Sequence, residues 1–312
     1  SLPPLGSISR RLSESQAGEG GSLRVGCGAE ARVPELPEVE TMRRGIAAVA
    51  NCVLDRVRFP SRDDVKPLAV SPARSSFARR VEGVRVLAVE RAGKRVVLRL
   101  AEDERIVFEP RMTGLVLLDE EPPSAKHVRA TFELSGGVPR RLTVWDRRGL
   151  GTLRLYTAAE FCEALGPHAL GPDALELTPD QLQERLGGSR RPIKVALLDQ
   201  RALAGVGNIY AVEALNASRI DPRRLCADLS RREWRALTRA LVEILREAVR
   251  YEGSTLGDGT YRTALNVDGG YQNHHRVYAR EGKRCPRRGC RGEVERVVLG
   301  QRATFFCPRC QA

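Results

Sequence analysis

The stretch that decides the fold of the C-terminal part is CPRRGCRGEVERVVLGQRATFFCPRC, residues 285–310. It holds two close cysteine pairs, Cys285 with Cys290 and Cys307 with Cys310. Two short chelate loops are typical of a four-cysteine zinc site, and four thiolates close the tetrahedral shell, so the metal is structural. A module of this size buries too little apolar surface to fold unaided. The stretch therefore predicts a zinc finger with one Zn²⁺; four unrelated thiols are the alternative.

Positive charge is concentrated in the same region. The chain of 312 residues has a formal net charge of +13, and residues 276–312 contain ten Lys or Arg against three Glu. Clustered cations release counterions from a polyanion, so this distribution indicates a nucleic-acid partner. A solvated basic surface without a partner is the alternative. Because no run of about 18 apolar residues is present, we expect a cytosolic protein that does not enter the membrane.

The residues around the cysteines complete this module. The run QRATFF (301–306) has the pattern of a hairpin strand that presents Arg302. His274 and His275 lie just before the cysteines, but the thiolate shell leaves no open position, so we expect both at the surface or facing DNA. Residues 276–312 are therefore predicted to form the zinc finger.

Residues 34–157 are predicted to form a mostly β domain behind one helix. Apolar residues first recur at helical spacing and then at every second position, the pattern of half-buried strands. The helical set is Val39, Met42, Ile46 and Val49, and the alternating sets are Val53, Val57 and Phe59, then Val128, Ala130, Phe132 and Leu134. These patterns predict a β-sandwich or barrel with a leading helix.

Residues 158–275 have the pattern of a helical domain. Pro179 follows Thr178 at one helix start, and Ser230 with Glu233 forms a capping box before an apolar stripe. The segment AGVGNIYA (204–211) lies between two shorter helices. Together the three parts predict an α+β multidomain fold.

Residues 1–33 differ from the rest of the chain. They have many Gly and Ser and no periodic apolar pattern. We expect them to be disordered or to be untranslated upstream sequence.

Four blocks in order resemble one family. They are PELPEVET (34–41), RAGK (91–94), GVGNIYA (205–211) and QRATFFCPRC (301–310). The chain resembles the formamidopyrimidine-DNA glycosylases over residues 34–312. The resemblance implies a base-excision repair DNA glycosylase and AP lyase that removes oxidised purines (8-oxoguanine and formamidopyrimidines). It further implies a helix–two-turn–helix DNA-binding domain, one structural zinc and damaged double-stranded DNA as partner. It also implies a cytoplasmic, nucleoid-associated bacterial protein.

The resemblance implies catalytic roles for five residues. Pro34 would be the amine nucleophile that attacks C1′ and forms a Schiff base, followed by β- and δ-elimination. Glu35 would be the general acid/base, and Glu38 would position the sugar and the proton transfers. Lys94 and Arg302 would bind phosphates at and beside the lesion. Ordinary helix-start charge is the alternative for both glutamates, and a plain hairpin-turn lysine for Lys94.

It implies DNA-binding roles for five more. Asn208 would bind backbone phosphate with the GVGN loop, and Lys194 is a weaker candidate for the same face, with a solvated helix lysine as the alternative. Met112, Arg148 and Leu150 would fill the gap left by the flipped nucleotide and hold its former partner base. Core packing is the alternative for Met112 and Leu150. Residues 254–271 fall where the family has its lesion-capping loop, and we assign none of them.

The chain departs from the family pattern at three places. Glu109-Pro110-Arg111-Met112 stands where the family usually has H-L-G-M, and Leu150 stands where it usually has phenylalanine. Leucine can displace a base but cannot stack on one as an aromatic ring does. The first cysteine pair is C-x4-C instead of the usual C-x2-C.

The position of Pro34 is a fourth departure. An internal proline nitrogen is a tertiary amide and cannot act as a nucleophile. Val33 stands where the family has its initiator Met, and a GTG codon encodes Val internally but Met at a start. We therefore expect translation to begin at codon 33 and the Met to be removed; proteolytic processing is the lesser possibility.

Two rival functions remain open. One is a glycosylase of the endonuclease VIII type, specific for oxidised pyrimidines, toward which Leu150 is a faint signal. The other is a non-catalytic binder of damaged DNA, if Pro34 stays blocked. We expect a monomer, because a cleft between two domains needs no symmetry partner.

Overall fold

The computed structural model describes residues 33–255 and 261–311. The expectation for the extension before Val33 lies outside the described residues. The described chain is a mixed α+β fold with a β-rich N-terminal part, a helical part and a C-terminal zinc-finger hairpin, which confirms the predicted fold class.

The N-terminal part consists of two sheets flanked by two helices. The elements are α1 (Leu36–Gly45), β1 (Val53–Arg58), β2 (Ala69–Ser71), α2 (Arg74–Val81), β3 (Val86–Ala92), β4 (Arg95–Leu100), β5 (Glu104–Glu109), β6 (Gly114–Leu118), β7 (Val128–Ser135), β8 (Arg141–Asp146) and β9 (Thr152–Thr157). One sheet has the order β1-β7-β8-β6 and the other β2-β9-β5-β4-β3. Their buried side chains join one hydrophobic core, as in a sandwich.

The predicted alternation is correct for Ala130, Phe132 and Leu134 of β7 and for Val57 of β1, and it is wrong for Val53. In β7, Ala130, Phe132 and Leu134 are buried, as their spacing predicts. In β1, Leu54 is buried in place of Val53, because the register with β7 shifts after Leu54. Such a bulge adds one residue to the strand and reverses the faces beyond it.

Five α-helices lie in the helical part of the described residues. They are α3 (Ala158–Leu165), α4 (Pro179–Leu186), α5 (Ile193–Leu197), α6 (Asn208–Ser218) and α7 (Arg231–Arg250). The predicted starts are confirmed: Thr178 caps α4 with Pro179 in its first turn, and Ser230 with Glu233 forms the capping box of α7. Among the described residues, no helix combines the length and the apolar character that a membrane crossing requires.

Helix α1 belongs to both halves of the molecule. Leu36, in its first turn, is fully buried in the core of the helical part, whereas Val39 and Met42 are fully buried in the core of the sandwich. The first turn of α1 therefore lies at the junction of the two cores.

The C-terminal hairpin is attached to the helical part. Strands β10 (Glu295–Leu299) and β11 (Arg302–Phe306) pair antiparallel through a tight turn, and Ala303 and Phe305 pack in the helical core. The buried carboxylate of Glu213 in α6 accepts hydrogen bonds from the backbone N–H groups of three consecutive residues that lead into the module, Arg276 (2.8 Å), Val277 (3.0 Å) and Tyr278 (2.8 Å). The zinc module and α6 thus form one packed unit.

The four clustered cysteines fit a zinc ion. Their sulfur atoms all lie within 4.8 Å of one another, with Cys285 Sγ 3.8 Å from Cys310 Sγ and Cys290 Sγ 3.7 Å from Cys307 Sγ. A tetrahedron with Zn–S bonds of about 2.3 Å has edges of about 3.8 Å. The chain therefore has one structural four-cysteine zinc site, as predicted, and the longer C-x4-C loop still closes it.

We expect Cys307→Ser to lose zinc and to melt at a lower temperature than the unaltered chain. Small zinc modules draw about 10–16 kcal/mol of apparent folding free energy from the metal, and this hairpin shares its core with the helices. The measurement is zinc content per chain together with a thermal melt. The control is Cys162→Ser, which changes an exposed cysteine outside the cluster and should leave both values unchanged. Full zinc content in Cys307→Ser would contradict the assignment of this ligand.

Candidate active site

Glu35 is held against the beginning of α6. Its side chain is buried, and its carboxylate accepts hydrogen bonds from the backbone N–H of Ile209 (2.9 Å) and of Tyr210 (3.4 Å). These N–H groups belong to the first turn of α6, where helical backbone donors have no partner within the helix. The start of α1 and the start of α6 therefore meet at one carboxylate.

Glu38 joins three segments of the chain. Its Oε2 accepts from the backbone N–H of Glu35 (2.9 Å), and its Oε1 accepts from the hydroxyl of Tyr210 (2.6 Å) and the backbone N–H of Ser254 (2.9 Å). The hydroxyl of Ser254 lies 3.1 Å from Nε2 of His275. A buried polar network thus fixes this carboxylate in one orientation.

Two glycines of the GVGN segment make this approach possible. Gly205 has a φ of +99°, and a Cβ there would lie 2.4 Å from Cδ1 of Leu36; a Cβ at Gly207 would lie 2.2 Å from Cδ of Glu35. Neither space can hold a side chain. Gly205 O also accepts a hydrogen bond of 3.0 Å from the backbone N–H of Leu36. The glycines are therefore required by close contact with the segment that follows Pro34.

Burial shifts the ionisation of the central groups. Burial raises the pKa of the Glu35 carboxyl from 4.5 to about 7, while the charge of Lys94 lowers it and that of Glu38 raises it. Burial also raises the pKa of Glu38, although the hydrogen bond from Tyr210 lowers it. For Lys94, burial lowers the pKa of the ammonium group against the charges of both glutamates. Glu35 can therefore exchange a proton near neutral pH.

The structure brings the predicted phosphate ligands toward these carboxylates. Lys94 lies in the turn between β3 and β4, and its ammonium interacts electrostatically with Glu35, Glu38 and Arg302. Asn208 is the first residue of α6, and its Nδ2 donates a hydrogen bond of 2.9 Å to the carbonyl of Ala303, the neighbour of Arg302. Since an amide nitrogen carries two hydrogens, one donor of Asn208 is left for a ligand.

The environment of Lys194 is not that of a solvated lysine. The side chain is fully buried, and Nζ donates to the carbonyl of Leu299 (3.3 Å) beside the hairpin turn. The alternative of a solvated helix lysine is therefore wrong. The lysine links α5 to the turn that precedes Arg302.

The predicted base-displacing residues occupy two loops that are tied together. The buried carboxylate of Asp146 accepts hydrogen bonds from the Thr113 hydroxyl, the Arg148 backbone N–H (3.1 Å) and the Gly151 backbone N–H (2.8 Å). Met112 lies beside Thr113 in the loop between β5 and β6, and Arg148 and Leu150 lie in the loop between β8 and β9. Met112 and Leu150 are only partly buried and belong to neither core of the described residues.

Sequence reasoning missed three members of the site. Tyr210 stands inside the quoted GVGNIYA block, two residues after the assigned Asn208, and its position there was the available signal. Ser254 begins the segment 254–271, in which no residue was assigned a role, and His275 was expected at the surface or facing DNA; only the fold brings the two together beside Glu38. The expectation of a surface or DNA-facing role for His275 is wrong: its side chain is buried beside Ser254.

The arrangement supports proton transfer beside an amine. Pro34 is buried directly before Glu35, and a free proline nitrogen there would lie next to a carboxyl with a pKa of about 7. An α-amino group has a pKa of about 8, so part of it is neutral and nucleophilic at the same pH. Cations around the pair would attract a phosphodiester backbone.

Three family models match the chain in order. They are the formamidopyrimidine-DNA glycosylase N-terminal domain at residues 33–153, the formamidopyrimidine-DNA glycosylase H2TH domain at 165–259, and the zinc finger found in FPG and IleRS at 282–312. Each model falls on one part of the observed architecture.

Relatives with known names match along almost their whole length. The formamidopyrimidine-DNA glycosylase of Thermus thermophilus is 41% identical over 290 residues, covering 89% of this chain and 98% of the relative. That of Chloroflexus aurantiacus is 37% identical over 284 residues with the same coverage.

Solved structures agree with the sequence matches. The MutM (Fpg) protein of Thermus thermophilus has a TM-score of 0.76 at 40% identity, covering 89% of this chain and 98% of that one. A Lactococcus lactis Fpg mutant in complex with Fapy-dG-containing DNA has a TM-score of 0.77 at 28% identity, covering 89% and 99%. The chain therefore belongs to the formamidopyrimidine-DNA glycosylase family.

Proposed function

We propose that the protein is a base-excision repair DNA glycosylase and AP lyase that removes oxidised purines, 8-oxoguanine and formamidopyrimidines, from duplex DNA. The observation that carries the proposal is the buried carboxyl of Glu35, the residue after Pro34, which the backbone N–H groups of Ile209 (2.9 Å) and Tyr210 (3.4 Å) hold at the start of α6; burial raises its pKa to about 7. Family membership and the Fapy-dG-containing DNA in the Lactococcus lactis structure support the same substrate class.

The first step is attack by the Pro34 nitrogen. Its lone pair forms a bond to C1′, the glycosidic C1′–N bond breaks, and the electrons leave with the base, which takes up a proton. Glu35 supplies that proton because its carboxyl is protonated below about pH 7. The proton of the attacking nitrogen then passes to O4′ as the C1′–O4′ bond opens, and an iminium remains between Pro34 and C1′.

Strand cleavage follows from this iminium. It acidifies the C2′ proton, whose removal expels the 3′ phosphate, and a second elimination expels the 5′ phosphate. Glu38 holds Glu35 by its backbone N–H and so positions the proton transfers. Lys94, Asn208 and Arg302 bind the phosphates of the damaged strand, while Met112, Arg148 and Leu150 occupy the gap in the duplex.

The proposed domain division and cellular setting follow from the same assignment. We place the catalytic sandwich at residues 34–157, the DNA-binding helical domain at 158–275 and the zinc finger at 276–312. The enzyme acts as a monomer, because both halves of the DNA cleft come from one chain. A substrate in the bacterial chromosome places it in the cytoplasm, at the nucleoid.

The experiment that tests the proposal is borohydride trapping on a duplex that contains 8-oxoguanine opposite cytosine. We expect a form that begins at Pro34 to cross-link to DNA, and the form with all 312 residues not to, because an acylated proline nitrogen has no free lone pair. If both forms bind the duplex and neither cross-links to it, the protein is a non-catalytic binder of damaged DNA. Preference for oxidised pyrimidines on matched duplexes would favour an enzyme of the endonuclease VIII type.

A Glu35→Gln substitution should separate base excision from strand cleavage. Loss of the proton donor should lower single-turnover excision of 8-oxoguanine by about 10²–10⁴-fold, whereas trapping on a preformed abasic site should fall much less, since no base has to leave. The wild-type excision rate should decline above about pH 7, where Glu35 loses its proton.

The stability of the same variant provides the control. A carboxyl whose pKa is higher in the folded than in the unfolded state binds more protons when folded, so its contribution to stability falls between about pH 4.5 and pH 7. Glu35→Gln should therefore melt no lower than wild type at pH 8. A clear decrease in melting temperature would attribute the lost activity to unfolding instead.

A Gly207→Ala substitution should displace Glu35 and abolish excision. The new Cβ would lie 2.2 Å from Cδ of Glu35, so the carboxylate could no longer reach the start of α6. The matched control is Gly188→Ala, where an added Cβ meets nothing within 4 Å and excision should be unchanged. Excision by Gly207→Ala at the wild-type rate would show that Glu35 acts without this contact.

A further inference from the structure

The turn between β5 and β6 has an unusual residue at its tip. The backbone N–H of Gly114 donates a hydrogen bond of 2.8 Å to the carbonyl of Pro110 and closes a tight turn over residues 110–114. Within it Arg111 has a φ of +50°, the left-handed region that glycine occupies readily and an L-residue with a side chain occupies at a cost. The turn itself does not need an arginine.

The side chain of Arg111 is held by an ion pair. Its Nε lies 3.0 Å from Oε1 of Glu109, and the other carboxylate oxygen of Glu109 lies 3.1 Å from Nε of Arg95. Glu109 is the last residue of β5, and Arg95 directly follows Lys94 at the start of β4. These three side chains therefore connect the Lys94 turn to the turn that carries Met112.

The ion pair leaves the outer part of the guanidinium open. The side chain of Arg111 is 54% exposed, against 20% for Glu109, and within residues 33–255 and 261–311 its terminal nitrogens form no hydrogen bond or ion pair. The group formed by Arg95, Glu109 and Arg111 carries a net charge of +1. A guanidinium fixed through Nε presents its two terminal nitrogens as a fork that matches phosphate geometry.

We infer that Arg111 binds a backbone phosphate of the DNA next to the point where Met112 enters the duplex, with Glu109 as its positioning residue. The inference rests on the proposed function, because it uses the duplex as ligand. The Cα atoms of Arg111 and Met112 are about 3.8 Å apart as chain neighbours. A methionine in the base stack therefore places the arginine at the adjacent backbone, where a positive charge lowers the free energy of binding.

An Arg111→Gly substitution tests the contact in the full chain. Glycine fits a φ of +50°, so the variant should fold and melt at or above the wild-type temperature. Its affinity for an undamaged duplex at low salt should fall by roughly threefold to tenfold. The slope of log K against log salt should become shallower by about 0.9, the value for one lost phosphate contact.

The matched control is Arg219→Gly. Arg219 has a φ of +63° and is exposed after the last residue of α6, about 16 Å along an 11-residue helix from the end that binds Glu35. The same change of charge and backbone there should leave the salt slope unchanged. An unchanged slope in Arg111→Gly, or an equal change in both variants, would overturn the inference.

This test is separate from that of the proposed function. Binding to undamaged DNA requires no excision. A wild-type protein that fails to excise 8-oxoguanine would therefore overturn the enzymatic proposal, whereas the salt dependence of Arg111→Gly could still be interpreted. Conversely, normal excision by the wild type together with an unchanged salt slope in Arg111→Gly would contradict only the proposed phosphate contact of Arg111.

Discussion

The structure depends on burying two carboxylates side by side without leaving them unpaired. A buried charge without partners is strongly unfavourable, so Glu35 and Glu38 both need donors. Helix α6 supplies backbone N–H groups to the first, and Tyr210 and Ser254 supply donors to the second. Because these donors belong to different segments, satisfying the carboxylates fixes how the start of α1, the start of α6 and the segment after α7 are arranged.

The same arrangement holds the site from two sides. Leu36 is packed in one core, whereas Val39 and Met42 are packed in the other. The first turn of α1 is thus held from both sides, and its carboxylates cannot move without disturbing a core. Pre-organised groups of this kind are what proton transfer requires, because geometry held in advance does not have to be acquired during the reaction.

Local patterns in the sequence predicted much of the fold, and long-range contacts were the limit. The zinc ligands and the caps at Thr178 and Ser230 were predictable, since each is a pattern within a short stretch. Tyr210 and Ser254 contact Glu38 across separations of 172 and 216 residues, which no periodicity encodes. The shift in β1 was missed because a bulge depends on the partner strand. The roles assigned to Pro34, Lys94 and Arg302 came from family resemblance, and they stay predictions.

The shared core of hairpin and helices gives the metal an influence on the whole DNA-binding half. Ala303 and Phe305 pack among the helices, so the hairpin that the four thiolates hold is also part of the helical core. By mass action, a ligand that binds only the folded state stabilises it by about 1.4 kcal/mol for each tenfold excess over its dissociation constant. The stability of this half is then a function of free zinc in the surrounding medium. Metal supply would set how much repair-competent protein survives, even though the ion takes no part in the reaction.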